Sequence, residues 1–169
     1  TGVEMEPTTA AVARHLYPQY PNIVNEKFER AKLLDGFYDV VVGNVPFGDY
    51  QIYDAALNAR FKIGGRGLRV HNFFIARSLE KLRDDGLLAL ITSTGTLEAN
   101  DAESFREALA REAELVGAVR LPEGAFRATA GTDVTVDVLF LRKRNAEERE
   151  RIAGGETPSG PRFSETVAS

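Results

Sequence analysis

The segment Tyr38-Asp39-Val40-Val41-Val42-Gly43 narrows what this chain can fold into more than any other. Its β-branched residues favour an extended backbone, and three consecutive valines place apolar side chains on both faces of a strand. A strand apolar on both faces is expected inside a parallel sheet covered on each side. Leu87-Leu88-Ala89-Leu90-Ile91-Thr92 is a second such run. Between the two, Val70 to Leu82 carries Phe74, Leu79 and Leu82 in an amphipathic helical pattern, and Asp85-Gly86 turns the chain into the second strand. This is the alternation of an α/β sheet.

The flanks extend the pattern. Thr1 to Glu4 reads as a strand end, Pro7 opens a helix over Thr8 to Leu16, Pro18 and Pro21 close it, and Asn22 to Asn25 gives a short strand. Downstream, Asn100 or Asp101 can cap a helix running to about Glu112, followed by a strand over Leu115 to Leu121. A Gly-containing loop from Pro122 to Thr132 leads into Val134, Val136, Val138 and Phe140, which alternate with Thr135 and Asp137 as in a half-buried strand. No helix separates these last two strands, so the final one returns antiparallel. The expected fold is an α/β three-layer sandwich, mostly parallel with a final antiparallel strand, over residues 1–144. Residues 145–169 turn charged and then Gly/Pro/Ser-rich, as a linker or extension outside the core does.

Composition removes several kinds of chemistry. The chain has no cysteine, and its two histidines, His15 and His71, lack ligand spacing, so a zinc centre, a thiolate nucleophile and a Ser-His-Asp hydrolase are not expected, and no metal is. No apolar run approaches the ~18–20 residues that cross a bilayer, and no charged segment leads into an apolar one at the start; a cytoplasmic protein is expected. The formal charge of −4 is unlike that of a free-standing duplex binder, whose affinity comes from neutralising phosphates. Any nucleic-acid contact must come from a local patch or from other parts of a larger protein.

Asn44-Val45-Pro46-Phe47-Gly48 follows the first buried strand directly. In open α/β sheets ligands bind at that carboxyl edge. The residue types suit an exocyclic aromatic amine, whose lone pair is delocalised and therefore poorly nucleophilic. Two acceptors on its N–H groups draw the nitrogen towards a pyramidal geometry and stabilise the positive charge that develops there. The Asn44 side-chain oxygen supplies one acceptor and the Val45 carbonyl the other. Pro46 biases Val45 towards an extended backbone, and Phe47 offers a stacking face. Catalysis of this kind is positioning plus electrostatics. The structural alternative is a loop in which Asn44 caps a turn and Pro46-Phe47 packs.

The tetrapeptide resembles the Asn-Pro-Pro-Phe/Tyr motif of amino-group DNA methyltransferases, in the Asn-Val-Pro-Phe-Gly form of large helicase-associated adenine methyltransferases. The resemblance covers about Thr1 to Arg144 and implies a partial class I S-adenosylmethionine-dependent methyltransferase fold. It implies methyl transfer from S-adenosylmethionine to N6 of a flipped adenine in DNA, in a setting such as restriction-modification. Val45 stands where proline is commoner, and it keeps the carbonyl that the family uses. Glu4 and Met5, at the end of the first strand, are implied to bind the cofactor ribose and adenine, with Phe28 and Glu29 beside them. Glu6 is read as a helix N-terminal acid. Leu121-Pro122-Glu123-Gly124-Ala125-Phe126 resembles a later motif whose aromatic, here Phe126, stacks on the other face of the extruded base. Arg60, Lys62, Arg66 and Arg69, in and around the loop that follows the tetrapeptide, are candidates for the DNA backbone.

The family's Gly-rich cofactor turn, Phe-x-Gly-x-Gly, is absent from the sequence. The resemblance therefore implies a fragment lacking the first strand and helix, with a downstream target-recognition region also elsewhere, and no activity or strong cofactor binding by the chain alone. Two other readings stay open: a methyltransferase acting on an RNA base or a protein glutamine amide, and a non-catalytic methyltransferase-like interaction domain.

Overall fold

The computed structural model describes residues 1–61, 63–125, 135–161 and Phe163. The chain divides into two units, Thr1–Leu34 and Asp35–Ser169.

The first unit is a strand–helix–strand: β1 (Gly2–Glu4), α1 (Pro7–Leu16) and β2 (Ile23–Asn25). β1 and β2 pair in parallel, Gly2 with Ile23 and Glu4 with Asn25. Pro7 occupies the first helical turn, where its missing N–H has no intrahelical partner to lose. Glu6 caps α1 by accepting the Thr9 N–H at 2.6 Å. That bond and the neighbouring Thr8 N–H hold its carboxyl below the usual range. The Arg14 guanidinium ties the helix to β2 through the Ile23 carbonyl, at 2.7 and 3.0 Å.

The second unit holds β3 (Tyr38–Asn44), β4 (Gln51–Ile52), α2 (Ala55–Arg60), β5 (Leu68–Arg69), α3 (Val70–Lys81), β6 (Leu82–Ser93), α4 (Gly95–Glu98), α5 (Glu103–Glu112), β7 (Ala113–Leu121), β8 (Val136–Lys143) and α6 (Ala146–Ala153). Its main sheet has the order β3-β6-β8-β7. β3 and β6 are parallel, with Val41 opposite Leu88 and Asn44 opposite Ile91. The final strand β8 is inserted between β6 and β7, antiparallel to both, as its short connection requires. Asp85 takes the turn between α3 and the straight part of β6, with a φ of 61°. Beside it, a Cβ on Gly86 would stand 2.9 Å from the Arg83 carbonyl, so only glycine fits there.

One face of the sheet forms the core. Leu88 and Leu90 of β6, Leu139 and Leu141 of β8 and Leu115 of β7 join Phe73, Ile75, Ala76 and Leu79 of α3 and Phe105 and Leu109 of α5 in one buried cluster. Phe61 stacks on Phe105 with ring centroids 5.2 Å apart. The opposite face is apolar and open: Val40, Val42, Leu87, Val116, Val119 and Phe140 are all exposed, Val42 at 71%. This corrects the expectation of a β3 buried on both faces. β3 is an edge strand, of which Tyr38 and Val41 pack against the cluster while Val40 and Val42 are exposed.

β8 keeps Val136 buried as its sequence pattern suggests but departs from that pattern further on. Phe140 points to the open face, whereas Asp137 is fully buried in line with Leu139 and Leu141. The Arg120 guanidinium makes that burial tolerable by donating to both carboxylate oxygens, at 2.9 and 3.1 Å.

Two further expectations change. Neither Asn100 nor Asp101 caps α5: they form a 3-10 turn with Ala102, and the helix starts at Glu103. Residues 145–169 hold more structure than their composition suggests. Asn145 and Glu148 form a reciprocal capping box at the start of α6, and Phe163 is buried in the core cluster. Arg144, only 1% exposed, donates to the Ala110 carbonyl and to Ser159, fastening this stretch to α5. Among the described residues no helix is long and apolar enough to cross a membrane.

Candidate active site

Asn44 ends β3 and lies on the same open face as Val40 and Val42. It is exposed, and its amide has no hydrogen-bond partner among the described residues. The turn-capping alternative is therefore not what this residue does here. Val45 extends the ladder by one residue, its N–H donating to the Ile91 carbonyl at 3.0 Å. Its side chain is 3% exposed and belongs to the core. The backbone next to Asn44 is thus anchored twice, by that bond and by burial, while Pro46 is exposed and Phe47 is 40% exposed. The anchoring role of the Val45 side chain and N–H is one that motif matching does not reveal.

The chain then loops back. Val70, the first residue of α3, donates its N–H to the Tyr50 carbonyl at 3.0 Å, and β4 pairs with β5, Gln51 opposite Arg69 and Ile52 opposite Leu68. Gly67 makes this pairing possible: its φ is 94°, and a Cβ there would stand 2.6 Å from the Ile52 carbonyl oxygen. α3 runs from this edge down to β6, so Arg69 and Arg66 lie at the carboxyl edge with Asn44. Arg69 pairs with Asp101 at 2.6 Å and approaches Asp49 at 3.6 Å. Arg66 is exposed, without an ion pair among the described residues. Arg60 is separated from this group. It pairs with Glu112, the residue just before β7, at the amino end of the sheet. Lys62 lies outside the described residues.

Beneath the edge is a buried polar layer that the sequence did not point to. The Thr96 hydroxyl donates to Asn72 Oδ1 at 3.0 Å and stands 3.4 Å from the Thr92 hydroxyl. His71, in the first turn of α3, is 4% exposed, and its Nε2 has no hydrogen-bond partner among the described residues. Burial, reinforced by Arg69 and partly opposed by Asp101, pushes its imidazole down to about 4, so it is neutral at pH 7. The Arg120–Asp137 pair closes the far end of the edge, joining β7 to β8 where the segment between them departs. Phe126, the expected second stacking aromatic, lies in that segment, outside the described residues.

In the first unit Glu4 ends β1 and Met5 follows it, while Phe28 and Glu29 form a turn after β2. Because the two strands are parallel, all four residues gather at one carboxyl edge of the small sheet. Asn25 clamps this edge, its Nδ2 donating to the Glu4 and Met5 carbonyls at 2.9 and 3.0 Å. One Glu4 carboxylate oxygen accepts the Glu6 N–H at 2.7 Å, and Met5 is 61% exposed.

The model of the N-6 DNA methylase family matches residues 19–155. The chain belongs to that family. It is 31% identical over 154 residues to the defense against restriction protein B of Escherichia phage P1, across 90% of this chain and 7% of that protein. Among solved structures, a Listeria monocytogenes protein assigned to the class I S-adenosylmethionine-dependent methyltransferases superposes with a TM-score of 0.66 at 17% identity, over 99% of this chain and 49% of the other. The M protein of the type I restriction enzyme EcoKI gives 0.62 at 21% identity, over 88% of this chain and 32% of that one. The ATP-dependent type ISP restriction-modification enzyme LlaBIII, bound to DNA, gives 0.60 at 15% identity, over 94% and 14%. These likenesses establish the fold, a partial class I methyltransferase sandwich. The family member spans only a small part of its curated relative, 7% of its length.

Proposed function

We propose that this chain carries the target-amine site of an enzyme that methylates adenine N6 in DNA with S-adenosylmethionine as methyl donor. The observation that carries the reading is the exposed Asn44 amide at the carboxyl end of β3, without a hydrogen bond among the described residues, beside the doubly anchored Val45 and the half-exposed Phe47. An adenine extruded from the duplex stacks on Phe47 and presents N6 to the Asn44 side-chain oxygen and the Val45 carbonyl. S-adenosylmethionine, when bound, would supply the methyl group to the N6 lone pair and leave as its thioether, and N6 would give up a proton to water. Asn44 and Val45 stabilise the positive charge that N6 bears meanwhile. Glu4, Met5, Phe28 and Glu29 would hold the ribose and adenine of the donor, in keeping with their gathering at one edge.

The Gly-rich cradle for the methionine end of the donor would come from another part of the intact protein, on a strand that pairs along the open edge of β3. The place of β3 at the end of the strand order β3-β6-β8-β7 supports this. By itself the chain should therefore show no micromolar affinity for S-adenosylmethionine in a calorimetric titration. In the intact protein, Asn44→Ala should lower methyl transfer to DNA by about 100-fold or more while leaving donor affinity nearly unchanged. Full activity in that variant removes Asn44 from its role. Radiolabel appearing in RNA or protein pools and not in DNA would move the reaction to another planar amine.

A further inference from the structure

The loop after the tetrapeptide carries two aromatic residues that the methyl-transfer chemistry does not use. Tyr50 is 51% exposed and Tyr53 is 64% exposed, seven residues or fewer from Phe47. The Tyr50 backbone is fixed to α3 by the Val70 N–H, and its ring lies against Gly48, where a Cβ would come within 2.8 and 2.9 Å of two ring carbons. The missing Cβ of Gly48 thus leaves room for the ring beside the backbone that follows Phe47. Tyr53 follows β4 directly, with its backbone nitrogen 3.1 Å from where a Gly67 Cβ would stand. Arg69 lies opposite Gln51 in the β4–β5 ribbon and Arg66 precedes β5, so Tyr50 and Tyr53, at the two ends of β4, and the two arginines flank one short ribbon at the edge that holds Asn44.

Exposed rings held on a backbone, with arginines nearby, bind nucleic-acid strands by stacking unpaired bases and meeting their phosphates. Charge decides the balance between the two. Arg69 is already matched by Asp101 and Asp49, which leaves Arg66 as the cation without an ion pair on this ribbon among the described residues. Stacking must therefore dominate. We propose that Tyr50 and Tyr53 form a stacking platform for unpaired nucleotides of the DNA strand that flank the methylated base. The inference rests on the DNA-methyltransferase reading of the same edge, and it adds a binding surface to that reading. A platform of this kind offsets the loss of stacking that accompanies base extrusion.

The test uses the intact protein and a fluorescein-labelled 15-nucleotide oligothymidylate, which contains no methyl acceptor. Tyr50→Ala should weaken binding about tenfold, whereas Tyr50→Phe should bind like the parent, because the ring stacks and the hydroxyl does not. Gly48→Ala should reproduce the loss, since its Cβ drives the Tyr50 ring off the backbone. Arg66→Ala should reduce the slope of log affinity against log salt by about 0.7, and the tyrosine variants should leave that slope unchanged. Thermal melts of each variant report on folding. Affinities within twofold of the parent for both Tyr50→Ala and Tyr53→Ala would overturn the proposal, as would tenfold tighter binding of oligouridylate. Methyl transfer to an adenine-containing duplex, measured on the same proteins, separates the two readings. Unimpaired oligothymidylate binding by the tyrosine variants with Asn44-dependent transfer sinks the platform alone, whereas a parent without transfer sinks the methyltransferase reading.

Discussion

Lowering the pH through the range between 6.5 and 4 should destabilise the fold through a single side chain, His71. Its imidazole is 4% exposed and ionises near 4 in the folded chain, against 6.5 when free. The main cause is burial, with Arg69 adding repulsion and Asp101 partly opposing it. Because the folded-state value is depressed, the unfolded chain binds the proton more readily. The stability this group contributes is present above 6.5 and is lost progressively as pH falls towards 4. The full loss is about 3 kcal/mol, a sizeable share of the ~5–15 kcal/mol that holds a domain together. The assay is urea denaturation at pH 7, 5.5 and 4.5, comparing the parent with His71→Gln, which cannot ionise. Carboxylates held low by their partners, such as Asp54 at the cap of α2, lose stability only at the acid end and do so equally in both proteins. The variant should be less stable than the parent at pH 7 and close the gap as the pH falls. Parallel pH profiles for the two would refute the buried, neutral histidine.

Three further substitutions test the geometry of the edge. Val45→Pro restores the commoner form of the motif, yet here it should cost about 1–3 kcal/mol, because the ring removes the N–H that Ile91 accepts; chemical denaturation measures it. Gly67→Ala should separate β4 from β5, since the methyl group would meet the Ile52 carbonyl at 2.6 Å; faster amide exchange at Leu68 and Val70 with α5 unaffected is the expected signature. Asn58 is 5% exposed with neither polar side-chain atom bonded among the described residues, so Asn58→Leu should raise the melting temperature by a few degrees, and a drop would mean that the amide is satisfied in solution.

Local pattern made much of this architecture legible. Pro7, the Val70–Lys81 helix, the Asp85-Gly86 turn and the antiparallel return of the last strand follow from backbone preferences and connection length, which act over a few residues. The position of Asn44 at a carboxyl strand edge followed from the same logic. What the sequence concealed depends on partners far along the chain. Asp137 looked like the solvent side of β8 because nothing near it announces Arg120 across the strand pair. Asp101 has the chemistry of a helix cap, but Arg69 takes its carboxylate. Arg60 looked like a neighbour of Arg66 until Glu112 drew it to the opposite end of the sheet. Tyr50 and Tyr53 drew no notice because exposed tyrosines are ordinary; only the space that Gly48 leaves beside the Tyr50 ring sets that residue apart.

The uncovered apolar face of the main sheet bears on how this polypeptide behaves in water. Val40, Val42, Leu87 and Phe140 form an apolar patch bounded by β3, the end strand of the sheet among the described residues, and such a surface is adhesive. Copies of the chain in concentrated solution should stack face to face or zip together along β3. Sulfate should strengthen that association and urea should disperse it. The net charge of −4 gives little long-range repulsion to oppose it at physiological ionic strength. A cell that makes this sheet must therefore cover it promptly, and a binder raised against the bare face would report whether the covering is in place.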